Sequence, residues 1–422
     1  MAFIDKMDRH RRPILIALFL FSLLLRLSLT YNNFTTHGTE GWADSLYYLH
    51  YGQSFAEGDF YPEFGPYPYM VTGPIIPLIV TASLVITGDP IVPVLIFNCL
   101  LSALLVFVLF YIGKKIVNPL TGYLLAIWSV FNISLINYNN RILKEPLLFL
   151  LVPLIILCLV NIYYKRSLLL NIIASSLLFS VLIHTDERFV AYAPIFIIFV
   201  FLTTPVKKKI NLSIIWLAVL LVTMVPWTMR NYREFAEIVI ISPRTTAITS
   251  KIWGTDFAGA HFASEEGIEQ EMKQHEERNI YLANRFGIEP RRFGTIEKYF
   301  KTFIHYWQPA FFRLTYTHHG YIPVKWSLLH NLNSLLFYGI FLPFYLLGMI
   351  MAVIKRNWLI LFLASIPLIH SIIHTIMIWP IERYRWPMVF LIVLIAFWYL
   401  FTAILKNQEV AVNIAQSEEQ RA

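Results

Sequence analysis

Apolar positions in this chain come in long unbroken runs, and polar residues gather in the gaps between them. Crossing a bilayer as a helix takes ~20 residues. Runs near that length fall at about 13–31, 91–113, 119–138, 145–163, 168–184, 188–204, 211–229, 334–354, 357–379 and 385–405, so the pattern predicts about ten membrane-spanning helices. One further run, 74–88 (PIIPLIVTASLVITG), covers only about 22 Å at ~1.5 Å per residue, short of the ~30 Å hydrocarbon core. It is expected to lie in the interface without crossing. Between 230 and 333 the pattern changes to a charged, helix-like stretch at 264–279 and an amphipathic one at 296–307. In the second, Tyr299, Phe300, Phe303 and Trp307 form a stripe at helical spacing, as in a helix lying flat on a membrane. No internal repeat or low-complexity tract interrupts this plan.

Composition agrees: 57% of the 422 residues are hydrophobic and 14% charged, and the mean hydropathy is +0.59. Such a chain is an all-α polytopic membrane protein and not a soluble enzyme. The 34 Lys+Arg outnumber the 26 Asp+Glu, but the cations sit in small clusters between apolar runs, as membrane topology requires, which points away from nucleic acid. Cys99 and Cys158 lie inside apolar runs and form no disulfide framework. Arg9, Arg11 and Arg12 precede the first run, which ends without a small-residue cleavage site and reads as a retained anchor.

Charge then sets sidedness. From Leu27 to Gly113 there is no Lys or Arg, whereas Glu40, Asp44, Glu57, Asp59, Glu63 and Asp89 all lie there. The positive-inside rule places this stretch outside and Lys114/Lys115, Lys165/Arg166, Lys207–Lys209 and Lys355/Arg356 inside, provided 74–88 does not cross. The expected organisation is seven spans in 1–229 with a first outer loop at 32–90, then an outer loop at 230–333. Three more spans occupy 334–405, and 406–422 forms a cytoplasmic tail. The N-terminus is expected in the cytoplasm of a bacterial or archaeal cell, with the chemistry on the outer face of its plasma membrane.

That outer face collects the residues able to do chemistry. On a helix, Asp44 shares a face with Tyr47, Tyr48, Tyr51 and Phe55. A carboxylate there is costly unless it is paired or used, and capping its own helix is the plain alternative. Glu145 stands before Pro146 at the mouth of a span beside Arg141 and Lys144, which equally suits a helix start. HTDERF places His184, Asp186, Glu187 and Arg188 between two spans, as a site or as a turn with internal ion pairs. Arg230 and Arg233 lie one turn apart above the membrane, and Arg383 and Arg385 flank Tyr384 in the last outer turn. Singly these arginines read as interfacial anchors; several converging with carboxylates fit an anionic ligand, most simply a phosphate. His370 and His374, spaced i, i+4 on one span, have no acid at metalloprotease spacing.

Taken in order, ADSLYYLHYGQSFAEGDFY, TGPIIPLIV, KEPLLFLL, HTDERFVAYAP, PWTMRNYREF and ERYRWPM give the chain the look of a known group. From about residue 13 to about 400 it resembles the polyprenyl-phosphate-dependent glycosyltransferases of the GT-C fold, in the branch of protein O-mannosyltransferases and lipid A aminoarabinose transferases. The resemblance implies transfer of a sugar, with inversion, from a polyprenyl-phosphate donor to a glycan, lipid or protein acceptor. It makes Asp44 the general base and Glu145 the assisting acid. Arg188, Arg230, Arg233, Arg383 and Arg385 are then the pool of phosphate ligands, and Tyr47, Tyr48 and Glu187 are substrate contacts. No cofactor is implied firmly, and no ligand set in the sequence supports a divalent metal. In one place the pattern departs from the family, which often carries a charged residue before the interfacial helix where this chain reads VTGP. The competing readings are a transporter or flippase of a polyprenyl-linked lipid, which predicts charge deep within spans, and a non-catalytic member of the same fold.

Overall fold

The computed structural model describes residues 10–38, 43–63, 70, 72–236, 238–242, 300, 303–304, 306–309, 327–377 and 384–405. Tyr299, Arg383, the 264–279 stretch and the 406–422 tail lie outside the described residues. Helices run α1 (Arg11–His37), α2 (Ala43–Ala56), α3 (Ile75–Thr87), α4 (Val92–Ile116), α5 (Pro119–Phe131), α6 (Ile133–Asn137) and α7 (Glu145–Tyr163). They continue as α8 (Leu168–Thr185), α9 (Ala193–Thr203), α10 (Lys209–Phe235), α11 (Ser327–Phe337), α12 (Leu342–Ile354), α13 (Trp358–Met377) and α14 (Trp386–Leu400). No strand occurs among the described residues.

Eight of these helical stretches are long and apolar enough to cross a membrane, and the bent pair Pro119–Phe131 and Ile133–Asn140 makes a ninth. The tenth expected span, 188–204, takes another form: a 3-10 segment, Glu187–Tyr192, leads into the 11-residue α9. At ~2.0 and ~1.5 Å per residue the two together reach roughly 28 Å, just short of the ~30 Å core, and the stretch is not among the helices long enough to cross. Helix α3, at 13 residues, is about 20 Å long and too short to cross.

Helices α4, α7 and α14 form the centre, where 61%, 72% and 67% of their most apolar windows are buried, against 22% for α1 and 28% for α10. Central helices therefore bury apolar side chains all round, while α1 and α10 turn broad apolar faces outward, as a lipid-facing helix must. Helix α14 touches α5 and α7 as well as α12 and α13, and so joins the two halves of the chain.

The break between α5 and α6, a bend of 48°, shows how the bilayer constrains the backbone. Buried polar groups there must find partners inside the protein. The Asn132 side chain accepts from Ser134 N at 3.0 Å and caps α6. The fully buried Arg26 of α1 covers the carbonyls left at the end of α5, donating from Nη2 to Ser129 O at 2.6 Å and from Nε to Ser102 Oγ at 2.9 Å. A charge deep in a span is what a transporter reading predicts, but this guanidinium is committed to a helix end, where the negative end of the dipole favours it.

Two turns opposite the break hold non-glycine residues in the left-handed region, Lys165 at φ 55° and Arg356 at φ 52°. Each costs on the order of 1 kcal/mol relative to a relaxed turn.

Candidate active site

Four elements bring polar side chains to one small pocket at the end of the bundle where α7 begins and α8 ends. Pro146 near the start of α7 suits a helix start, because its missing N–H would have no intrahelical partner. The acid in that first turn, Glu145, is 1% exposed and faces the protein interior, one turn from Leu148. At the end of α8 the chain turns through the extended Asp186, whose carboxylate accepts from Arg188 N at 3.3 Å and opens the 3-10 segment.

Asp186 is the hub of the charges. Its Oδ1 accepts from Arg188 Nε at 2.6 Å, its Oδ2 pairs with Arg188 Nη2, and Lys144 Nζ lies 3.1 Å from Oδ2. The two-pronged geometry suits a planar guanidinium. Burial alone raises the Asp186 pKa, but Arg188 and Lys144 overcome it and hold the carboxyl well below the usual carboxylate range. Glu145, Asp186 and Arg188 line the pocket, and Lys144 reaches the Asp186 carboxylate from beside it.

The opposite wall comes from the second half of the chain. His370 accepts from Tyr192 O–H at Nδ1 (2.6 Å) and reaches Tyr384 O from Nε2 (2.8 Å). Because a carbonyl only accepts, Nε2 carries the proton and the tautomer is fixed. The Tyr384 ring lies under the Arg188 guanidinium, 3.9 Å from its centroid, and stacks with the His374 ring at 5.0 Å. His374 is 2% exposed, lines the pocket, and its Nδ1 has no hydrogen-bond partner among the described residues. Phe189 and Pro387 complete the lining of an empty volume of about 210 Å³, counted to its open mouth. Among the described residues no three His, Cys, Asp or Glu side chains converge as metal ligands would.

The remaining sequence candidates distribute around this pocket. Glu187 opens the 3-10 segment and is half-buried. Asp44 lies in the first turn of α2, half-buried, and does not line the pocket. Tyr47 packs beside Tyr51, Phe55, Trp227 and Phe235, whereas Tyr48 is buried in the main core. Arg230 clamps the first loop to α10: Nη2 and Nε donate to Phe60 O at 2.6 and 3.0 Å, Glu234 pairs at 3.1 Å, and Tyr61 and Trp227 flank the guanidinium. Arg233 is exposed one turn on. Arg385, 1% exposed, donates to the carbonyls of Tyr306 and Gln308 at 2.6 and 2.9 Å and lies over the Tyr338 ring. It fixes the end of the 296–307 stretch, whose Trp307 stacks on Tyr345 while Phe300 is exposed.

A residue the sequence left unexplained ties the first loop to the site. A Cβ on Gly73 would sit 1.9 Å from the carbonyl oxygen of His184, two residues before Asp186. The VTGP stretch has no side chain there because the backbone leading into α3 lies against the end of α8. Helix α2 in turn lies on α3 through Gly52, whose carbonyl accepts from Thr81 Oγ1 at 2.9 Å. Gly73→Ala is expected to push this loop off α8, lowering thermal stability by roughly 1–3 kcal/mol as overpacked sites do. Faster proteolysis within 43–63 would accompany it, and an unchanged melting temperature would show that the loop yields freely.

No protein-family model matches the chain, and no curated protein sequence matches it significantly. Among solved structures, a crystal structure of the Archaeoglobus fulgidus oligosaccharyltransferase in the apo form superimposes with a TM-score of 0.57 at 12% identity, covering 96% of this chain and 52% of that one. The chain thus spans about half the length of that protein. At this identity the likeness is one of fold: an all-helical, GT-C-like membrane architecture shared with an oligosaccharyltransferase.

Proposed function

We propose that this chain is a membrane glycosyltransferase, moving a sugar from a polyprenyl-phosphate donor to an acceptor at the outer membrane surface. One observation carries the reading: Glu145, Asp186, Arg188 and His374 from three separate elements line one buried pocket at the ends of membrane spans, in a fold shared with an oligosaccharyltransferase.

A donor of this kind already contains its leaving group, so the protein has two tasks. A carboxylate takes the proton of the acceptor as it attacks the anomeric carbon, and fixed donors stabilise the departing phosphate. Asp44 is the general base in this scheme, and Glu145, held inside the pocket, orients the sugar or the acceptor. Arg188 is pre-positioned by Asp186 and Tyr384, so it offers its remaining N–H groups to an anionic oxygen without reorganising. Lys144 at 3.1 Å from the same carboxylate provides the second cation. Arg230 contributes at one remove, by holding the first loop. Attack on the face opposite the phosphate inverts the anomeric centre.

The test is mass spectrometry of envelope lipids and glycans from cells lacking the protein. One sugar should be missing from an acceptor while a polyprenyl-phosphate sugar accumulates, and the wild-type gene but not Asp44→Asn should restore it. Unaltered glycans with a lipid-linked sugar displaced between leaflets would favour transport instead.

A further inference from the structure

We propose that His374 is a specificity-determining residue, which receives one hydroxyl group of a substrate in the pocket that it shares with Glu145. The inference rests on the reading of this pocket as a sugar-transfer site, and it adds a substrate contact that the scheme above does not use.

Buried histidines on helices ordinarily satisfy their nitrogens within the protein, and two neighbours show how. His184, at the end of α8, turns Nδ1 to the carbonyl of Ser180, one turn back, at 2.8 Å. His370, one turn before His374 on α13, uses both nitrogens, on Tyr192 O–H and Tyr384 O. His374 is equally buried, yet its Nδ1 has no hydrogen-bond partner among the described residues. Leaving a buried polar atom in that state is costly. Its ring is also held against turning elsewhere, because it stacks with Tyr384 (5.0 Å, 23°) and with Tyr306 (6.3 Å, 20°) and lies 4.3 Å from the His370 ring. One histidine of the pair is locked into the wall, and the other keeps a fixed nitrogen for a group from outside.

Size and chemistry identify that group. Most of the pocket volume is open mouth, and the space enclosed between the walls admits little more than one water-sized group. A whole sugar ring or phosphate does not fit there, whereas a single hydroxyl does. A hydroxyl donates and accepts at once, so it can serve an imidazole nitrogen and the Glu145 carboxyl whichever of them carries a proton. A phosphate oxygen only accepts, and the carboxyl groups of Glu145 and Asp186 line the same space. An aliphatic group would leave Nδ1 unpaired, so the pocket selects against a substrate that lacks the hydroxyl.

The experiment measures sugar transfer by the full-length protein in nanodiscs, with the lipid-linked sugar that accumulates in cells lacking it as donor and the unmodified acceptor from the same cells. His374→Phe keeps a flat ring without nitrogens, His374→Leu repeats the removal with a smaller side chain, and His374→Asn restores an amide close to the position of Nδ1. Both nitrogen-free variants should melt at or above the wild-type temperature and raise one KM about tenfold or more, with kcat changed far less. His374→Asn should recover much of that loss. A raised donor KM assigns the hydroxyl to the sugar and a raised acceptor KM assigns it to the acceptor; either supports the proposal. Wild-type KM values in the nitrogen-free variants, or a lowered melting temperature with only kcat reduced, overturn it while the transferase reading stands. Inhibition of wild type by inorganic pyrophosphate that His374→Phe abolishes would place a phosphate at His374 and overturn it too. A wild-type protein that transfers no sugar refutes the transferase reading itself.

Discussion

Replacing Asp186 with alanine is expected to destabilise the protein by about 3–5 kcal/mol, the range for removing one partner of a buried ion pair. The carboxylate is 1% exposed and answers two cations, Arg188 and Lys144, which the substitution would leave without it. Much of the loss is therefore the cost of stranding charge, and a second substitution should recover it: Asp186→Ala/Arg188→Met should be clearly more stable than Asp186→Ala alone. Losses that simply add in the double variant would mean that the two side chains are not coupled. The pH dependence follows from the direction of each shift. The folded pKa of Asp186 is depressed, so its contribution is present above its unfolded value of about 3.9 and lost only as pH falls through the lower folded value. The guanidinium of Arg188 stays charged throughout the working pH range, as arginine does in proteins. Between about pH 5 and 9 the stability gap between wild type and Asp186→Ala should stay flat, as read by thermal unfolding in detergent. A gap that closes within that window would mean that the pair is not formed as described.

How much of this was legible in the sequence depends on how local each signal is. Helices α4, α7 and α8 are written as unbroken apolar runs, and the short run at 74–88 has the length of α3. The 188–204 stretch was harder to read, because the 3-10 segment that opens it carries Glu187 and Arg188. Only the bidentate partner at Asp186, together with the cover of Tyr384, lets a guanidinium sit at that depth. The break after Phe131 was not legible either: its support comes from Arg26, more than a hundred residues earlier in the chain. In the site, Asp186 and Arg188 are two residues apart, and their pairing is among the readings that HTDERF allows. Nothing local shows that His374 and Tyr384 close the same pocket, since the α13–α14 packing that brings them there is a property of the second half of the chain. Gly73 carried a signal that could be seen and not interpreted. A missing charge before an interfacial helix has no meaning until the carbonyl of His184 is found in its place.

Asp44→Asn should lower sugar transfer by a factor of about 10²–10⁴, the usual contribution of a general base, while leaving the fold intact. Magnitude separates this from the plainer role of an acid in the first turn of α2. A charge at that position interacts with the helix dipole for only about 0.3–1 kcal/mol, and Asn preserves shape and hydrogen-bonding capacity. A purely structural Asp44 would therefore appear as a small drop in melting temperature with turnover changed less than about tenfold, which corresponds to about 1.4 kcal/mol. As general base it would do the reverse, with stability within error of wild type, donor binding retained and the rate collapsed. The donor for the assay is the lipid-linked sugar that accumulates in cells lacking the protein, so the measurement presupposes no particular sugar. Glu145→Gln supplies the comparison. Its side chain is held in the pocket wall at the head of α7, so an orienting role predicts a raised KM together with a milder fall in kcat. If Asp44→Asn transfers sugar at the wild-type rate while Glu145→Gln does not, the base lies in the pocket and the first-loop aspartate reverts to a helix-terminal charge.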